Sequence, residues 1–408
     1  MKVAIDSGPL KTGHSVRGIG AHTRELIFSL KNYVSGNIDI SIEVFKKTPD
    51  FQSGDELNAY MSSSLRGNRG LKSAEDVIES FDFLSAKPSK LSSYDVIHYT
   101  SFHPYFLSLP FKKPASKVIL TIHDLIPLIY PHHYAPGVRG RIRFLVNKFL
   151  IMKNVDKIIT ITETSKKDIC RFLGVKASMV EVIYIAPPKE LTESKITLGR
   201  LDDVKKKYNL PEKFAMYLGD VNYNKNIPTL VEACKIANIP LVIVGKQALD
   251  IEVGNGLDTL VGPMDYIRFL FGKPHPETAH YEDLQNKFVK FKVIRLGYLS
   301  YKDLSVLFKL ASVYVQPSFY EGFGIPLVEA FHIGCPVVAS RTQALVEIGE
   351  GAALFADPNN PNDFAAKINN VLKDKILRNQ LIETGKIQVK NFTWEKVARE
   401  TLEVYKNV

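Results

Sequence analysis

Twelve short apolar runs punctuate the chain, each rich in Val, Ile, Leu or aromatic residues and bounded by polar or turn-forming ones. Six lie at 3–6, 40–45, 96–99, 117–122, 157–162 and 180–184; six more lie at 214–219, 241–245, 292–297, 312–317, 336–340 and 352–356. They are continuous rather than alternating, as expected of strands covered on both faces in a parallel sheet. Segments with helical spacing fill many of the gaps, at 21–32, 138–153, 163–173, 227–237, 301–310 and 326–333. Strand and helix alternating in this way predict an α/β fold built of doubly wound, Rossmann-like domains. The last segment, 394–406, places Trp394, Val397, Ala398, Leu402 and Tyr405 at helical spacing. It either closes the second domain or crosses back to the first.

The alternation breaks at APPKELTESKITLGR, residues 186–200, which holds two prolines and no apolar period. We read this stretch as a linker. The expected division is an N-terminal acceptor-binding domain at 1–190, a C-terminal donor domain at 200–390 and a terminal helix at 391–408. Residues 46–94, Ser-rich and polar, and residues 246–290 are long for connections and read as insertions. Two doubly wound domains facing a central cleft would bind ligands at the carboxyl ends of their strands.

Composition narrows the class. The 408 residues are 45% apolar and 24% charged, which excludes a mainly disordered chain. No apolar run approaches the length of a membrane-spanning helix, and MKVAIDSGPL does not have the form of a signal peptide. Three scattered cysteines, Cys170, Cys234 and Cys335, form no metal spacing or disulfide framework. A reduced, cytoplasmic protein is expected. The net charge of +10 is uneven, since residues 1–195 carry 27 basic and 19 acidic side chains. Such a surface suits an anionic membrane, a nucleic acid or a phosphorylated substrate, or serves solubility alone. No nucleic-acid-binding motif accompanies it.

The loops after strands hold the candidate chemistry. In PSFYEGFGIPLVEA, 317–330, a loop with Glu321, Gly322, Phe323 and Gly324 feeds a helix near Pro326. A glycine-rich loop at a helix N-terminus suits an anion. Glu321 and Glu329 stand eight positions apart, and a carboxylate grips vicinal sugar hydroxyls well. The plainer alternative is a helix-dipole partner and a solvated loop charge. Lys225 follows the strand at 214–219 and is either a diphosphate ligand or a surface lysine. His123 and Asp124 directly follow 117–122, while His98 and His103 flank another strand end. Gly18 and Gly20 permit close approach of a phosphate or acceptor, with Arg17 beside them. Between Asp124 and Asp156 no acid occurs, while Arg139, Arg141, Arg143, Lys148 and Lys153 do. These cations fall on two arcs of a helix rather than one clean face, so the helix either touches anionic lipid or is a core helix with solvated cations.

The segment 317–330 resembles the Glu-x7-Glu signature of glycosyltransferase family 4, a retaining family with the GT-B fold. GIPLVEAFHIGCPVVAS at 324–340, YLGDVNYNKNIPTLVEA at 217–233, LGYLSYKDLSVLFKLASVYVQPS at 296–318, RGIGAHTREL at 17–26, TIHDLIPLIYP at 121–131 and KIITITETSKKDI at 157–169 extend it over most of the chain. The resemblance implies that Glu329 holds the nucleotide ribose and that Glu321 contacts the transferred sugar. It also implies that backbone around Phe323, Gly324, Ile325 and Leu327 meets sugar and phosphate. The phosphate loop of the family runs Gly-Arg-x4-Lys-Gly; here it holds Gly219, Asp220, Asn222 and Lys225, with Asp220 in the Arg position. Lys246 and Arg341 are candidates to replace that cation. His123 would donate a hydrogen bond near the reacting centre.

The GDVNYNKN form resembles that of bacterial polysaccharide mannosyltransferases, which implies GDP-mannose as donor. A saccharide or lipid-linked saccharide acceptor, peripheral contact with the inner face of the plasma membrane, no nucleic-acid partner, no cofactor and no metal are the further implications. The rivals are a sugar-nucleotide epimerase or phosphorylase of the same shape, and a non-catalytic basic binding protein.

Overall fold

The computed structural model describes residues 1–11, 18–34, 40–45, 91–134, 137–194, 196–250 and 276–408. They form two compact units, one holding the described residues of 1–185 with 394–408, the other those of 186–250 with 276–393. In unit 1 the strands are β1 (Lys2–Asp6), β2 (Ser41–Phe45), β3 (Val96–Tyr99), β4 (Lys117–Thr121), β5 (Lys157–Thr160) and β6 (Val180–Val182). All pair in parallel, in the order β2-β1-β3-β4-β5-β6. Val3, Ile97, Ile119 and Ile158 are buried along β1, β3, β4 and β5, whose continuous apolar runs mark strands covered on both faces, whereas the edge strand β2 is largely exposed, with Val44 at 46%. Helices α1 (Gly18–Tyr33), α2 (Gly137–Asn154) and α3 (Glu163–Leu173) belong to this unit. Thr162 caps α3 by accepting from Ser165 N, and Gly174 ends it in the left-handed region, the usual N- and C-terminal signals.

Unit 2 opens with a short helix at Lys189–Thr192 and α4 (Leu198–Lys207). The stretch read as a linker therefore holds helices. Asp303 explains part of this: its carboxylate accepts from Arg200 Nη2 at 3.1 Å, Lys207 Nζ at 2.8 Å and Tyr208 OH at 2.8 Å, fastening α4 onto the unit. A polar helix tied by its charges leaves little apolar period, and Val204 alone of α4 is buried. Strands β7 (Ala215–Leu218), β8 (Leu241–Val244), β9 (Ile294–Leu296), β10 (Val313–Gln316), β11 (Val337–Ser340) and β12 (Ala353–Ala356) form a second parallel sheet, ordered β12-β11-β10-β7-β8-β9. Its helices are α5 (Ile227–Ile236), α6 (Lys246–Asp250), α7 (Pro276–Lys290), α8 (Tyr301–Leu310), α9 (Ile325–Ile333), α10 (Gln343–Gly349), α11 (Pro361–Lys373) and α12 (Lys375–Gln388). Tyr217, Leu230, Ile243, Val315, Val338 and Phe364 centre its core.

The last helix, α13 (Trp394–Asn407), belongs to unit 1, where it packs on α1. All five of its apolar positions named from the sequence are buried. The insertion at 246–290 contributes α6 and α7, while residues 251–275, and 46–90 of the other insertion, lie outside the described residues.

Candidate active site

In unit 2 two loops at strand ends are laced together. Asn224 in the loop after β7 accepts from Phe319 N at 2.8 Å through its carbonyl and donates its side chain to Tyr320 O at 3.2 Å. Asn226, in the left-handed region at φ 54°, donates to Pro317 O at 3.0 Å and Pro358 O at 2.7 Å. This lacing sets Lys225 against Glu321, with Nζ at 2.9 and 2.8 Å from the two carboxylate oxygens. Glu321 Oε1 also accepts from Gln316 Nε2 and Ser318 Oγ, both at 2.6 Å. The carboxylate is 7% exposed and the lysine side chain 21%, so the pair is shielded and its charges are strongly coupled.

Helix α9 begins at Ile325, so Pro326 is its second residue. Gly324 precedes it at φ 96°, and a Cβ there would come 2.6 Å from Leu345 Cδ2, so the turn needs glycine. Glu329 lies on the buried side of α9, 3% exposed, and its Oε2 has no hydrogen-bond partner. Burial pushes its carboxyl up to about 8. An acid held without a partner for one oxygen is a costly arrangement that a bound hydroxyl would relieve. Phe323 and Leu327 behave differently. Phe323 packs edge-on against Phe392 at 5.6 Å, and Leu327 is fully buried with its N–H given to Gly324 O. The Leu327 N–H is thus engaged within the first turn of α9.

The loop after β7 is braced from α6 and α7 by residues the sequence did not single out. Gln247 Oε1 accepts from Val221 N at 2.7 Å, and its Nε2 donates to Asn222 Oδ1 at 2.6 Å. Tyr281 OH donates to the same Asn222 oxygen at 3.1 Å, and His280 Nε2 lies 2.8 Å from Val221 O. Asn222 is thus a held loop residue. Gly219 takes φ 146°, and a Cβ there would meet the Tyr217 hydroxyl at 2.8 Å. Of the two proposed replacement cations, Lys246 opens α6 beside Gln247, while Arg341 is exposed and lies over the Phe355 ring at 6.0 Å.

Unit 1 gathers three histidines. His98 on β3 is fully buried with both nitrogens engaged, Nδ1 at 2.7 Å from Tyr405 OH and Nε2 at 2.7 Å from Thr121 Oγ1. It is a structural histidine. His123, after β4, has Nε2 3.2 Å from His22 Nδ1 of α1, the rings edge-to-face at 4.8 Å. Trp394 of α13 lies on His22 at 5.7 Å. Burial lowers all three, His98 to about 3, His123 to about 4 and His22 well below the usual value, the last also opposed by His123 and His98. All three rings are therefore neutral at physiological pH. His103 belongs to its own loop, its Nδ1 accepting from Tyr105 N at 3.2 Å. Gly18 is the first residue of α1 at φ 45°, Gly20 is buried in its first turn, and Arg17 lies outside the described residues.

Helix α2 presents an apolar stripe to solvent. Val138, Ile142, Leu145, Phe149 and Met152 are all exposed, Leu145 at 63% and Phe149 at 60%. The cations at Arg139, Arg141 and Lys153 are exposed beside it. Reading the cations alone missed this face. Among the described residues no helix is long and apolar enough to cross a membrane, and no group of three or more His, Cys, Asp or Glu is placed to hold a metal ion.

Comparison with known proteins follows the same division. The sequence pattern of the family described as glycosyl transferases group 1 matches residues 200–388, and that of glycosyltransferase family 4 matches residues 70–186. The O-antigen chain mannosyltransferase B of Escherichia coli is 25% identical over 421 residues, covering 100% of both chains. The serotype-specific mannosyltransferase WbdA of Escherichia coli is 26% identical over 321 residues, covering 76% of this chain and 36% of that protein; this chain thus matches about a third of its length. Among solved structures, sucrose-phosphate synthase from Thermosynechococcus elongatus superposes with a TM-score of 0.67 at 22% identity, covering 100% of this chain and 98% of that one. HepE of Anabaena, in complex with UDP and glucose, gives 0.64 at 16% identity, with both chains fully covered. At these identities the likeness shows the GT-B fold. With two glycosyltransferase family patterns lying one across each unit and that fold beneath them, the chain is similar to glycosyltransferase family 4 in its first unit and is a glycosyltransferase.

Proposed function

We propose that the enzyme moves mannose from GDP-mannose, with retention of anomeric configuration, to a saccharide or lipid-linked saccharide acceptor in cell-surface polysaccharide synthesis. The observation that carries this is Glu329, a buried glutamate on the helix that follows the glycine loop, with one oxygen left unpartnered. Ribose hydroxyls would supply the missing partners. The names of the relatives, mannosyltransferases of O-antigen, support mannose as the sugar. Lys225 and the N-terminal end of α9 would hold the diphosphate, with Glu321 and a hydrogen bond from His123 meeting the transferred sugar.

In the reaction the anomeric C–O bond breaks and GDP departs with the electron pair. The acceptor oxygen attacks from the same face, and the departing phosphate takes its proton. Negative charge grows on the diphosphate as it leaves, so a cation fixed in place beforehand lowers the barrier. The scheme uses no metal and no enzymic nucleophile. A thermal-shift titration with GDP, UDP, dTDP and ADP tests the donor. A nucleotide at 100 times its Kd should add about 2.7 kcal/mol of stability. GDP alone should do so, and Glu329→Ala should lose the effect; a larger shift with UDP would displace GDP from the proposal.

The same proposal makes the protein peripheral to the inner face of the plasma membrane, through α2. Exposed apolar side chains spaced four and three residues apart, flanked by arginines and with no acid between Asp124 and Asp156, suit an anionic bilayer. Pairing of two copies through this stripe would set cations against cations. The enzyme should sediment with phosphatidylglycerol vesicles, and Leu145→Glu with Phe149→Glu should abolish this. Equal binding by that variant, or a wild-type dimer that it dissociates, would remove α2 from the membrane.

A further inference from the structure

One hydrogen bond links His22 and His123, and which of the two rings donates it decides what His123 can offer a ligand. Both rings are neutral, so each carries one N–H. The hydrogen bond between His22 Nδ1 and His123 Nε2 consumes one donor and one acceptor. His123 Nδ1 is buried and has no partner, in a side chain only 8% exposed. His98 shows the contrast, for there Tyr405 and Thr121 close both nitrogens. One imidazole is finished by the protein and the other is left open at one atom.

We propose that His22 is a positioning residue that donates from Nδ1 to His123 Nε2, and so holds His123 as its Nδ1–H tautomer. The inference rests on the reading in which His123 donates a hydrogen bond to the transferred sugar. If the only open nitrogen is to donate, Nδ1 must carry the proton. Nε2 is then bare, and its partner His22 must be the donor. The hydrogen bond made at one ring nitrogen fixes the tautomer at the other. Trp394 and the edge-to-face packing hold the His22 ring in the orientation this requires. His22 need touch no substrate to act in this way.

Nitrogen-15 NMR of the full-length, ligand-free protein tests the proposal directly. The wild type should show His123 protonated at Nδ1 and bare at Nε2. His22→Phe keeps a ring but removes the donor, and His123 should lose that single tautomer. His22→Asn restores an N–H donor and should restore it. Turnover should follow, falling about 5- to 10-fold in His22→Phe with donor KM little changed, and largely recovering in His22→Asn. A wild-type His123 protonated at Nε2 would overturn the proposal, as would a His22→Phe enzyme of normal turnover or an Asn variant as impaired as the Phe one. His123→Ala separates the two claims. Normal turnover in that variant would remove His123 from the sugar, while the tautomer seen without ligand still decides the role of His22.

Discussion

Unit 1 places three imidazoles in its interior, all neutral; unit 2 places two carboxylates and a lysine in its own, near the ends of β7 and β10. Each unit is a parallel six-stranded sheet covered by helices. The same architecture therefore tolerates two ways of burying polar chemistry. In unit 1 burial is the main cause that keeps the rings uncharged, with mutual repulsion of the histidines adding to it, and hydrogen bonds to Tyr405 and Thr121 complete His98. In unit 2 Glu321 is buried against Lys225 and two further donors, while Glu329 is buried against nothing at Oε2. Acid and base should therefore unsettle different halves. A lowered histidine contributes stability above its unfolded pKa that is lost as pH falls. A raised carboxyl contributes stability below its unfolded pKa that is lost as pH rises.

The largest effect is expected at Lys225. Lys225→Ala removes the proposed diphosphate cation, and turnover should fall by about 100-fold or more. It also leaves Glu321 buried without its cation, a loss of about 3–5 kcal/mol. Lys225→Ala with Glu321→Gln should recover much of the stability and none of the turnover. Melting curves and initial rates on the two variants separate the roles; a Lys225→Ala enzyme with near-normal rate would end the assignment.

Glu329→Gln comes next. Wild-type stability should decline as pH rises from about 4.5 toward 8, by at most about 1.4 kcal/mol per unit from this group. The variant should lack that decline and gain stability relative to wild type at pH 8. Denaturant melts across this range would show parallel curves if the carboxyl were not raised. The smallest effect is expected from His123→Gln, which should make the acid-side loss of stability between about pH 6.5 and 4 shallower. Should either variant alter the opposite limb, the two halves would not be pH-sensitive in opposite senses.

Most of the described strands are buried on both faces, and β2 at the sheet edge left the same kind of run although it is largely exposed; as short apolar runs bounded by turn-forming residues, the described strands of both sheets were legible. Helix α4 was not, because its hold on unit 2 is ionic, through Asp303, and charges at helical spacing look like any solvated surface. The same limit hid the stripe on α2. Apolar residues spaced four and three apart look identical whether they face a core or water, and only the fold distinguishes them. The Glu-x7-Glu spacing pointed to Glu321 and Glu329, but not to their different conditions, one saturated with donors and one lacking them. Gln247, His280 and Tyr281 left no signal at all, since a side chain that steadies a loop from a distant helix need obey no spacing. His22 carried the faintest trace, a polar residue at the start of the second turn of α1, between the buried Ala21 and Thr23.

Helix α13 gives the molecule a delay. The sheet of unit 1 is complete by Val182, but Tyr405 and Trp394, which close over His98 and His22, are about two hundred residues further along. At synthesis rates of about 5–20 residues per second, roughly 10 to 45 seconds separate the two. During that interval the nascent first unit stands with α1 uncovered by its last helix, while every residue of unit 2 is being made. The second half of the enzyme can therefore finish folding before the first, and the first half is where a chaperone or a stalled ribosome would be felt.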